Sequence, residues 1–403
     1  MEHLFVHRPA CRLSSVVRCS PSTVKNMISI SLSVAYFFIM FRYLEGWKNL
    51  PQWETPFDFQ PQTKVSILIP ARNESANIHR CIQSILAQKY PASLFEIIVI
   101  DDHSTDGTAE VVQAFGASNV RVLFLKDFVK DRAKLKAFKK KAIEIAIQKS
   151  MGELIVTTDA DCVVPAEWLN LLVSFYEKKQ YKFIAAPVNF HEEKSVFEKI
   201  QSLDFLGMMG VTGAGIHRKF MNMCNGANLA YEKKAFYDVG GFEGIDKIAS
   251  GDDMLLMQKM AKHFPNKIGF LKNKNATVLT KAMPDLKSFS QQRIRWASKS
   301  GSYQEFQILV ILALVFFFCV SIVVNLFLLP FFFGKIIKVL LIQLLVKTII
   351  DYFFLNQMSV FFGRKDLMKI FLPAQVFHIF YIAIIGFLGN VVKRYEWKGR
   401  KVK

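Results

Sequence analysis

The chain has 403 residues, 52% of them hydrophobic, and a formal net charge of +19. This length accommodates a complete catalytic domain together with membrane helices. A positive charge of this size suits a nucleic acid, an anionic lipid surface or a phosphorylated substrate. Because no nucleic-acid recognition motif accompanies the charge, we expect a membrane surface and an anionic substrate as partners, and no nucleic acid.

The cysteines indicate a reducing environment. They form no CxxC pair and show no spacing typical of disulfides, which predicts reduced thiols in a cytosol-facing protein. The six are Cys11, Cys19, Cys81, Cys162, Cys224 and Cys319.

The N-terminal part of the chain predicts a membrane anchor. Residues 1–26 are polar, basic and without pattern, and we interpret them as an arm, or as a stretch upstream of a start at Met27. Residues 27–45 are apolar and just long enough to cross a bilayer. A cleaved signal peptide is the alternative, but no small-x-small cleavage site follows, which favours an uncleaved transmembrane helix. Residues 46–63 contain three prolines and predict a linker.

Residues 64–300 predict an α/β domain of Rossmann-like type. Short buried strands are expected at Val65–Pro70, Phe95–Ile100, Arg121–Leu125 and Glu153–Thr158, with helices between them at 75–88, 106–115 and 131–149. Strand, helix and strand in this order make βαβ units with a parallel sheet. A doubly wound sheet binds its ligand at the carboxyl ends of its strands.

The C-terminal part predicts a membrane region over residues 307–392. Segments 307–329, 336–355 and 368–392 are each long enough to cross. If all three cross, the basic tail 393–403 lies on the side opposite the catalytic domain, against the tendency of positive charge to stay in the cytosol. Lys338, Lys347 and Asp351 interrupt the middle segment. The middle segment is therefore either a span that faces its neighbours or an interfacial helix. Either one segment does not cross or the tail is an exception to the rule. We favour a cytosolic tail, with the middle segment as the one that does not cross.

Asp101 and Asp102 begin the acidic clusters, at the end of the second strand. Ser, Thr and Asp in the turn that follows are also what helix capping requires, so capping is one interpretation. The other is that a carboxylate at the end of a strand accepts a hydrogen bond from a uracil imide or a ribose hydroxyl. Both interpretations stay open.

Asp159 and Asp161 follow the strand that ends at Thr158. A capped turn is the simple explanation, but two carboxylates one residue apart at the end of a buried strand repel each other, and a divalent cation relieves that repulsion. Oxygen ligands beside a diphosphate suit Mg²⁺ or Mn²⁺, which would stabilise a leaving nucleoside diphosphate. We predict a metal site there.

Asp252 and Asp253 precede a helical pattern, so capping again competes with function. A functional carboxylate at this position would act as a general base on an acceptor hydroxyl.

The stretch Gln292-Arg293-Ile294-Arg295-Trp296 is less easily explained by structure alone. A basic amphipathic stretch before a membrane often lies at lipid headgroups. Arginine also pairs bidentately with phosphate, and an indole offers a flat platform for a sugar ring. Glycosyl transfer needs both at one point.

The lysine run 134–141 predicts mainly a solvated basic helix face. One of its members, Lys140 or Lys141, is the candidate for reaching a phosphate, and we choose Lys141.

Together these motifs give the chain a resemblance to membrane-integrated glycosyltransferase family 2, the group of cellulose, hyaluronan and poly-N-acetylglucosamine synthases and ceramide-type glucosyltransferases. The resemblance covers roughly residues 64–300. It rests on the text from Val65 to Glu74, on the acidic clusters in their order, and on the Gln-x-x-Arg-Trp motif. The base motif departs mildly, with Asp252 where the family usually has Glu.

The resemblance implies a GT-A fold, a UDP-sugar donor, a divalent metal (Mg or Mn) and inversion at the anomeric carbon. Carried over to this chain, Asp253 is the base, and Asp159 and Asp161 bind the metal and diphosphate. The donor side comprises Pro70, Arg72, Glu74, Asp101, Asp102, Asp159, Arg295 and Lys141. The acceptor side comprises Trp296, Gln292 and Asp252.

We therefore expect an integral membrane enzyme with a cytosolic catalytic domain, as in a bacterial inner membrane, that builds a cell-envelope glycan. The first hypothesis is transfer of a sugar to a lipid or lipid-linked acceptor. A processive polysaccharide synthase is the second, although the extra spans and regulatory domain of long processive members are missing. An inactive membrane scaffold that keeps the fold is the hypothesis from another class.

Overall fold

The computed structural model describes residues 21–131, 135–220, 223–298, 301, 303, 305–391, 395–397 and 400–402. Most of the predicted arm 1–26 lies outside the described residues. The first helix, α1 (Pro21–Asn49), is longer at both ends than the predicted anchor 27–45.

A seven-stranded mixed sheet forms the centre of the catalytic domain, in the order β3-β2-β1-β4-β7-β5-β8. The three strands β1 (Val65–Ala71), β2 (Phe95–Asp101) and β4 (Leu154–Thr157) are buried along nearly their whole length. Such continuous apolar runs are typical of parallel strands covered on both faces. The other strands are β3 (Val120–Phe124), β5 (Phe183–Ala185), β7 (Leu229–Glu232) and β8 (Ile268–Phe270).

Within this sheet, β3, β2, β1 and β4 run parallel, so their carboxyl ends meet at one edge. Only β7 runs against its neighbours β4 and β5. A separate pair of parallel strands, β6 (Val188–His191) and β9 (Val278–Lys281), lies beside the sheet. The predicted α/β fold is therefore confirmed.

The helices of the catalytic domain pack on both faces of the sheet. In α2 the buried residues Ile78, Cys81, Ile82 and Ile85 follow the helical spacing that the sequence indicated. The predicted helix 131–149 begins only at Phe138. The helices are α2 (Ile78–Leu86), α3 (Thr108–Gln113), α4 (Leu125–Phe128), α5 (Phe138–Lys149), α6 (Trp168–Lys179), α7 (Val196–Arg218), α8 (Lys233–Asp238), α9 (Met254–His263) and α10 (Leu286–Ala297).

The C-terminal region contains α11 (Phe306–Leu328), α12 (Phe333–Phe361) and α13 (Phe371–Val391), followed by a hairpin of β10 (Tyr395–Trp397) and β11 (Arg400–Val402). Among the described residues, three segments are long and apolar enough to cross a membrane: Val24–Asn49, Phe306–Leu328 and Lys365–Gly389. By composition, α12 is not among them.

The contacts of α12 show where its two ends lie relative to the catalytic domain. Asn325 of α11 donates to Ser29 of α1 at 3.3 Å and to Gln343 of α12 at 2.7 Å, so the three helices meet away from the catalytic domain. Just after α12, Arg364 forms an ion pair with Glu193 of the catalytic domain at 2.8 Å. This helix therefore runs from the far side of the bundle back to the catalytic domain.

The charges of α12 are buried inside the bundle. Lys347 pairs with Asp351, and Tyr36 of α1 donates to Asp351 at 2.7 Å. Because a paired and hydrogen-bonded charge can be accommodated among helices, the charges do not stop α12 from crossing.

Both ends of α13, in contrast, lie at the catalytic domain. The helix starts shortly after Arg364, and Gly389 near its end packs against Ala297 of α10. By length and composition α12 is the segment that falls short of a span, in line with our expectation for the middle segment. Its buried, paired charges fit the alternative of a span that faces its neighbours, so which of α11, α12 and α13 cross stays a prediction. The tail hairpin lies on the catalytic side, since Arg400 contacts Asp102.

Candidate active site

A cavity of about 470 Å³ lies at the carboxyl ends of the parallel strands. It brings together most of the residues that the sequence singled out. Those that line it are Pro70, Arg72, Glu74, Asp102, Asp159, Asp161, Asp252, Asp253, Gln292, Arg295 and Trp296. Asp101 and Lys141 are the two predicted site residues outside the lining.

Asp101 and Asp102 are both buried at the end of β2. Asp101 accepts a hydrogen bond from the Ser104 backbone N–H at 3.1 Å, while its Oδ2 atom is buried with no hydrogen-bond partner among the described residues. Asp102 accepts two bonds from Arg400, at 2.6 and 2.8 Å, and lies 3.0 Å from His103 Nδ1.

Capping of the following helix is done by a different acid, Asp106. Its carboxylate accepts from the backbone N–H and the hydroxyl of Thr108 and from the backbone N–H of Ser75. Burial raises the pKa of Asp106, but these hydrogen bonds outweigh it and lower the pKa to about 2. Since Asp106 fills the capping role, Asp101 and Asp102 are available for another.

Arg72 and Glu74 follow β1 and hold the neighbouring loop. The Arg72 guanidinium donates to the Asp102 carbonyl at 2.9 Å. The Glu74 backbone N–H donates to the Thr108 hydroxyl at 2.8 Å, and Asn77 donates to the Glu74 carboxylate. Both side chains line the cavity where the loops after β1 and β2 meet.

Three consecutive lysines of α5 have three different environments. Lys139 lines the cavity, with its ammonium 2.9 Å from Asp159 Oδ1 and 3.2 Å from Asp252 Oδ2. Lys140 is buried and donates to the carbonyls of Ile245, Ile248 and Ser250. These three carbonyls belong to the loop that leads to Asp252.

Lys141 pairs with Glu144 at 2.7 Å, away from the cavity. Lys141, the lysine that the sequence analysis selects, therefore lies outside the cavity. Lys139, which lines the cavity, is not among the sequence candidates. Successive residues of a helix are rotated by about 100°. A one-residue error therefore moves a side chain to another face.

Lys139 is the positive charge between two acidic clusters. Burial lowers the pKa of Lys139, but Asp159 and Asp252 outweigh burial and raise it above its ordinary value. The lysine stays protonated and holds the turn after β4 beside the loop before α9.

Asp159 and Asp161 lie on the turn after β4, where the sequence predicted a metal pair. Besides Lys139 on Asp159, the Thr280 hydroxyl donates to Asp161 Oδ2 at 3.3 Å. Among the described residues, no group of three or more His, Cys, Asp or Glu side chains is arranged to hold a metal by itself. Two carboxylates beside a cavity still fit a hard divalent cation whose other ligands come from a diphosphate.

The thiols beside this turn, Cys81 and Cys162, are buried. Burial, with added repulsion from Asp161 and Asp159, raises the pKa of Cys81 well above its ordinary value. Cys81, Cys162, Cys224 and Cys319 are all free thiols, as the sequence predicted; Cys11 and Cys19 lie outside the described residues.

Asp253 caps α9, which agrees with the capping interpretation of this cluster. Its carboxylate accepts from the Met254 backbone N–H at 2.7 Å and from the Gly226 backbone N–H at 3.1 Å. One N–H group from the start of α9 and one from the turn before β7 fix the carboxylate in one orientation at the cavity wall. A carboxylate has about four acceptor positions, so capping leaves room for a further hydrogen bond.

The helix α10 carries Gln292, Arg295 and Trp296 into the cavity wall. Asp285 caps its first turn by accepting from the Ser288 N–H at 2.9 Å. The Gln292 Oε1 atom is buried and has no hydrogen-bond partner among the described residues.

Part of the cavity lining is apolar. It includes Phe190, Phe205, Met208, Met209, Met223 and Met283, together with Trp296. The rings of Phe205 and Trp296 lie 6.4 Å apart. The cavity lining therefore combines charged groups with apolar side chains, several of them from α7 and α10. The sequence did not predict the apolar part, because its methionines come from distant segments.

Comparison with known proteins agrees with this geometry. A family model described as "Glycosyl transferase family 2" matches residues 66–240, and one described as "Glycosyl transferase family group 2" matches residues 154–385, more than half of the chain. Among solved structures, a mannosyltransferase from Pyrobaculum calidifontis superposes with a TM-score of 0.53 at 16% identity, covering 92% of this chain and 98% of that one. This likeness shows the GT-A fold.

Two curated relatives each match part of the chain. Glycosyltransferase AglE of Haloferax volcanii is 27% identical over 194 residues, which are 47% of this chain and 59% of that protein. The poly-beta-1,6-N-acetyl-D-glucosamine synthase of Staphylococcus epidermidis is 24% identical over 280 residues, which are 66% of this chain and 60% of that protein. The matched parts thus span about three fifths of these relatives. With a family model over more than half its length, the chain belongs to glycosyl transferase family 2, with helices apolar enough to anchor it in a membrane.

Proposed function

We propose that the protein is an inverting glycosyltransferase that moves a sugar from a UDP-sugar to a lipid or lipid-linked acceptor. The observation that carries this proposal is a cavity whose lining combines charged and apolar side chains. The charged ones are carboxylates, Lys139 and Arg295, and the apolar ones are Trp296 with methionines and phenylalanines. We assign the charged groups to a donor end, which suits a nucleoside diphosphate sugar, and the apolar groups to an acceptor end, which suits an acceptor with an apolar portion.

The donor is held by groups at the carboxyl ends of β1, β2 and β4. The buried Oδ2 atom of Asp101, which lacks a partner among the described residues, and the adjacent Asp102 accept hydrogen bonds from the nucleoside. Lys139 and Arg295 are the cations near the diphosphate. Asp159 and Asp161 would hold Mg²⁺ or Mn²⁺, which neutralises charge on the leaving diphosphate when bound. The Pyrobaculum mannosyltransferase was solved with GDP-Man and Mn²⁺, which supports a nucleotide sugar with a divalent cation.

The reaction is a single displacement. Asp253 takes the proton from an acceptor hydroxyl while that oxygen forms a bond to the anomeric carbon of the sugar. The bond from this carbon to the diphosphate breaks on the opposite face, and UDP leaves with the electron pair. The acceptor sugar or headgroup lies on Trp296, beside Gln292 and Asp252.

The basic tail indicates on which side of the membrane the catalytic domain lies. The catalytic domain and the basic tail lie together, and positively charged segments favour the cytosolic face. We therefore place both in the cytosol.

A processive polysaccharide synthase is the second candidate, favoured by the similarity to the poly-beta-1,6-N-acetyl-D-glucosamine synthase over 66% of this chain. Product length separates the two. Membranes that contain the protein are incubated with radiolabelled UDP-sugars or GDP-mannose, with Mn²⁺, Mg²⁺ or EDTA, and products are divided into lipid-extractable and polymeric fractions. Metal-dependent label in lipid supports the proposal, label in polymer supports the second candidate, and no label with any donor supports an inactive scaffold.

A further inference from the structure

The second arginine of the motif helix, Arg293, has an environment unlike that of Arg295. Its side chain is only 4% exposed, and it does not line the cavity. The guanidinium lies 4.5 Å from the ring centroid of Trp296 and 4.9 Å from that of Phe289. Arg293 is thus directed away from the donor and packs against the aromatic platform.

A buried carboxylate holds this guanidinium in place. Asp204 of α7 accepts from Arg293 Nη2 at 2.9 Å, and its side chain is 11% exposed. Arg293 Nη1 lies 3.3 Å from the Met208 sulfur, one turn further along α7. The next residue after Asp204 is Phe205, whose ring contacts Trp296. One turn of α7 therefore fixes both Arg293 and the Trp296 ring.

A third residue beside the Asp204–Arg293 ion pair, Tyr381, comes from α13. The Tyr381 hydroxyl lies 2.9 and 3.0 Å from the two Asp204 oxygens, and its ring centroid is 5.7 Å from the Arg293 guanidinium. His378, one turn earlier, approaches Asp204 to 3.9 Å. Residues of α7, α10 and α13 thus converge on one buried charge pair behind the acceptor platform.

We propose that Asp204, Arg293 and Tyr381 are positioning residues for Trp296, so that α13 sets the acceptor platform while the donor end is left unaffected. This inference rests on the proposed function, in which Trp296 receives the acceptor. A buried ion pair fixes geometry only if both charges keep their hydrogen bonds. Loss of the Tyr381 hydroxyl or of the planar Arg293 fork therefore loosens the indole.

The test uses two mild variants and a matched control in the full-length protein in detergent. Tyr381→Phe removes one hydroxyl and keeps the ring; Arg293→Lys keeps the charge and removes the planar group. Tyr176→Phe is the control, because it removes a comparable bond, from Tyr176 to Glu153 at 2.7 Å, near the opposite end of β4. The probes are the radiolabelled nucleotide sugar and a titrated lipid extract of the host membrane.

We expect Tyr381→Phe and Arg293→Lys to raise the apparent KM for the lipid extract about tenfold, the effect of losing one hydrogen bond to a charged group, and to change the donor KM less than about twofold. Acrylamide quenching of Trp296 emission, taken as the difference from the matching Trp296→Phe protein, rises in both variants. The control changes neither quantity.

Unchanged lipid KM and unchanged Trp296 quenching in both variants would overturn the inference, as would equal shifts of donor and lipid KM. If the wild-type protein transfers no sugar from any donor, the proposed function fails, and the quenching measurement alone then decides whether the three residues position Trp296.

Discussion

Arg400, three residues from the C-terminus, forms a two-bond ion pair with Asp102 although 298 positions separate them in sequence. The Arg400 guanidinium also lies 3.7 Å from the ring centroid of Phe138, at the start of the helix that carries Lys139. The tail hairpin thereby covers a carboxylate that lines the donor end of the cavity.

Replacing Arg400 should therefore strengthen donor binding. Both Asp102 oxygens are engaged by Arg400, so a donor that uses Asp102 competes with the tail. We expect Arg400→Ala to lower the KM for the nucleotide sugar about three- to tenfold, the range for one or two charge-assisted bonds in a partly exposed site. Lys401→Ala, which removes a charge from the same hairpin, is the control. A raised donor KM in Arg400→Ala would show instead that the tail supports the donor site.

The three adjacent lysines give a second prediction. Lys139→Met leaves Asp159 and Asp252 without their shared counter-ion, so Mn²⁺ should bind more tightly to the donor-free protein while the transfer rate falls about 100-fold or more. Calorimetric titration with Mn²⁺ and radiolabelled transfer measure the two effects. Lys141→Met, which breaks only the pair with Glu144, should match wild type in both. Equal losses of transfer in the two variants would contradict the assignment of Lys139.

The buried pair of α12 tests the packing of the membrane region. Asp351→Asn leaves Lys347 buried beside Tyr36 without a counter-ion, so the free energy of unfolding should fall by about 3–5 kcal/mol. The double variant Lys347→Met with Asp351→Leu removes both charges and should recover most of that loss. Denaturant unfolding in detergent measures both. A single variant as stable as wild type would mean that the pair is solvated.

The path of the last three helices is testable by labelling. If α11 and α12 cross the membrane, their connecting turn lies opposite the catalytic domain. A cysteine at Phe331 should then react with an impermeant maleimide from one side of sealed vesicles, and cysteines at Lys365 and at Lys89 of the catalytic domain from the other. The unsubstituted protein gives the background. Labelling of Phe331 and Lys365 positions from the same side would rule out α12 as a crossing helix.

The sequence predicts best what depends on neighbouring residues. The runs Val65–Pro70 and Phe95–Ile100 are apolar throughout, so their burial, their parallel pairing and the acids at their ends could be predicted. The residue types of the Gln292–Trp296 motif indicate by themselves a site for a phosphate and a sugar ring. The strands and the motif are each contained in fewer than ten consecutive residues, and the parallel pairing follows from the order of strand, helix and strand.

Most of the contacts that the sequence does not predict join residues that are far apart in the chain. The lysine run offers Lys140 and Lys141 as candidates and misses Lys139, because the run does not show which side chain of the helix that begins at Phe138 faces the cavity. In α12, the Lys347–Asp351 pair is local, but Tyr36, which donates a hydrogen bond to Asp351, is 315 residues away and has no local signal. Arg400 lies 298 residues from Asp102, and Arg293 lies 89 residues from Asp204, so no local pattern predicts either contact.

The most direct test of the account is sugar transfer by purified Asp253→Asn protein with its nucleotide sugar and lipid acceptor. Met254 and Gly226 donate to different Asp253 oxygens, so the amide keeps one of these two bonds and loses the other. Near-wild-type thermal unfolding would check that the fold persists. We predict a transfer rate reduced at least about 100-fold, because the amide cannot accept the acceptor proton, with donor binding unchanged. Transfer at the full wild-type rate would contradict the assignment of Asp253 as the base, and with it the proposed displacement.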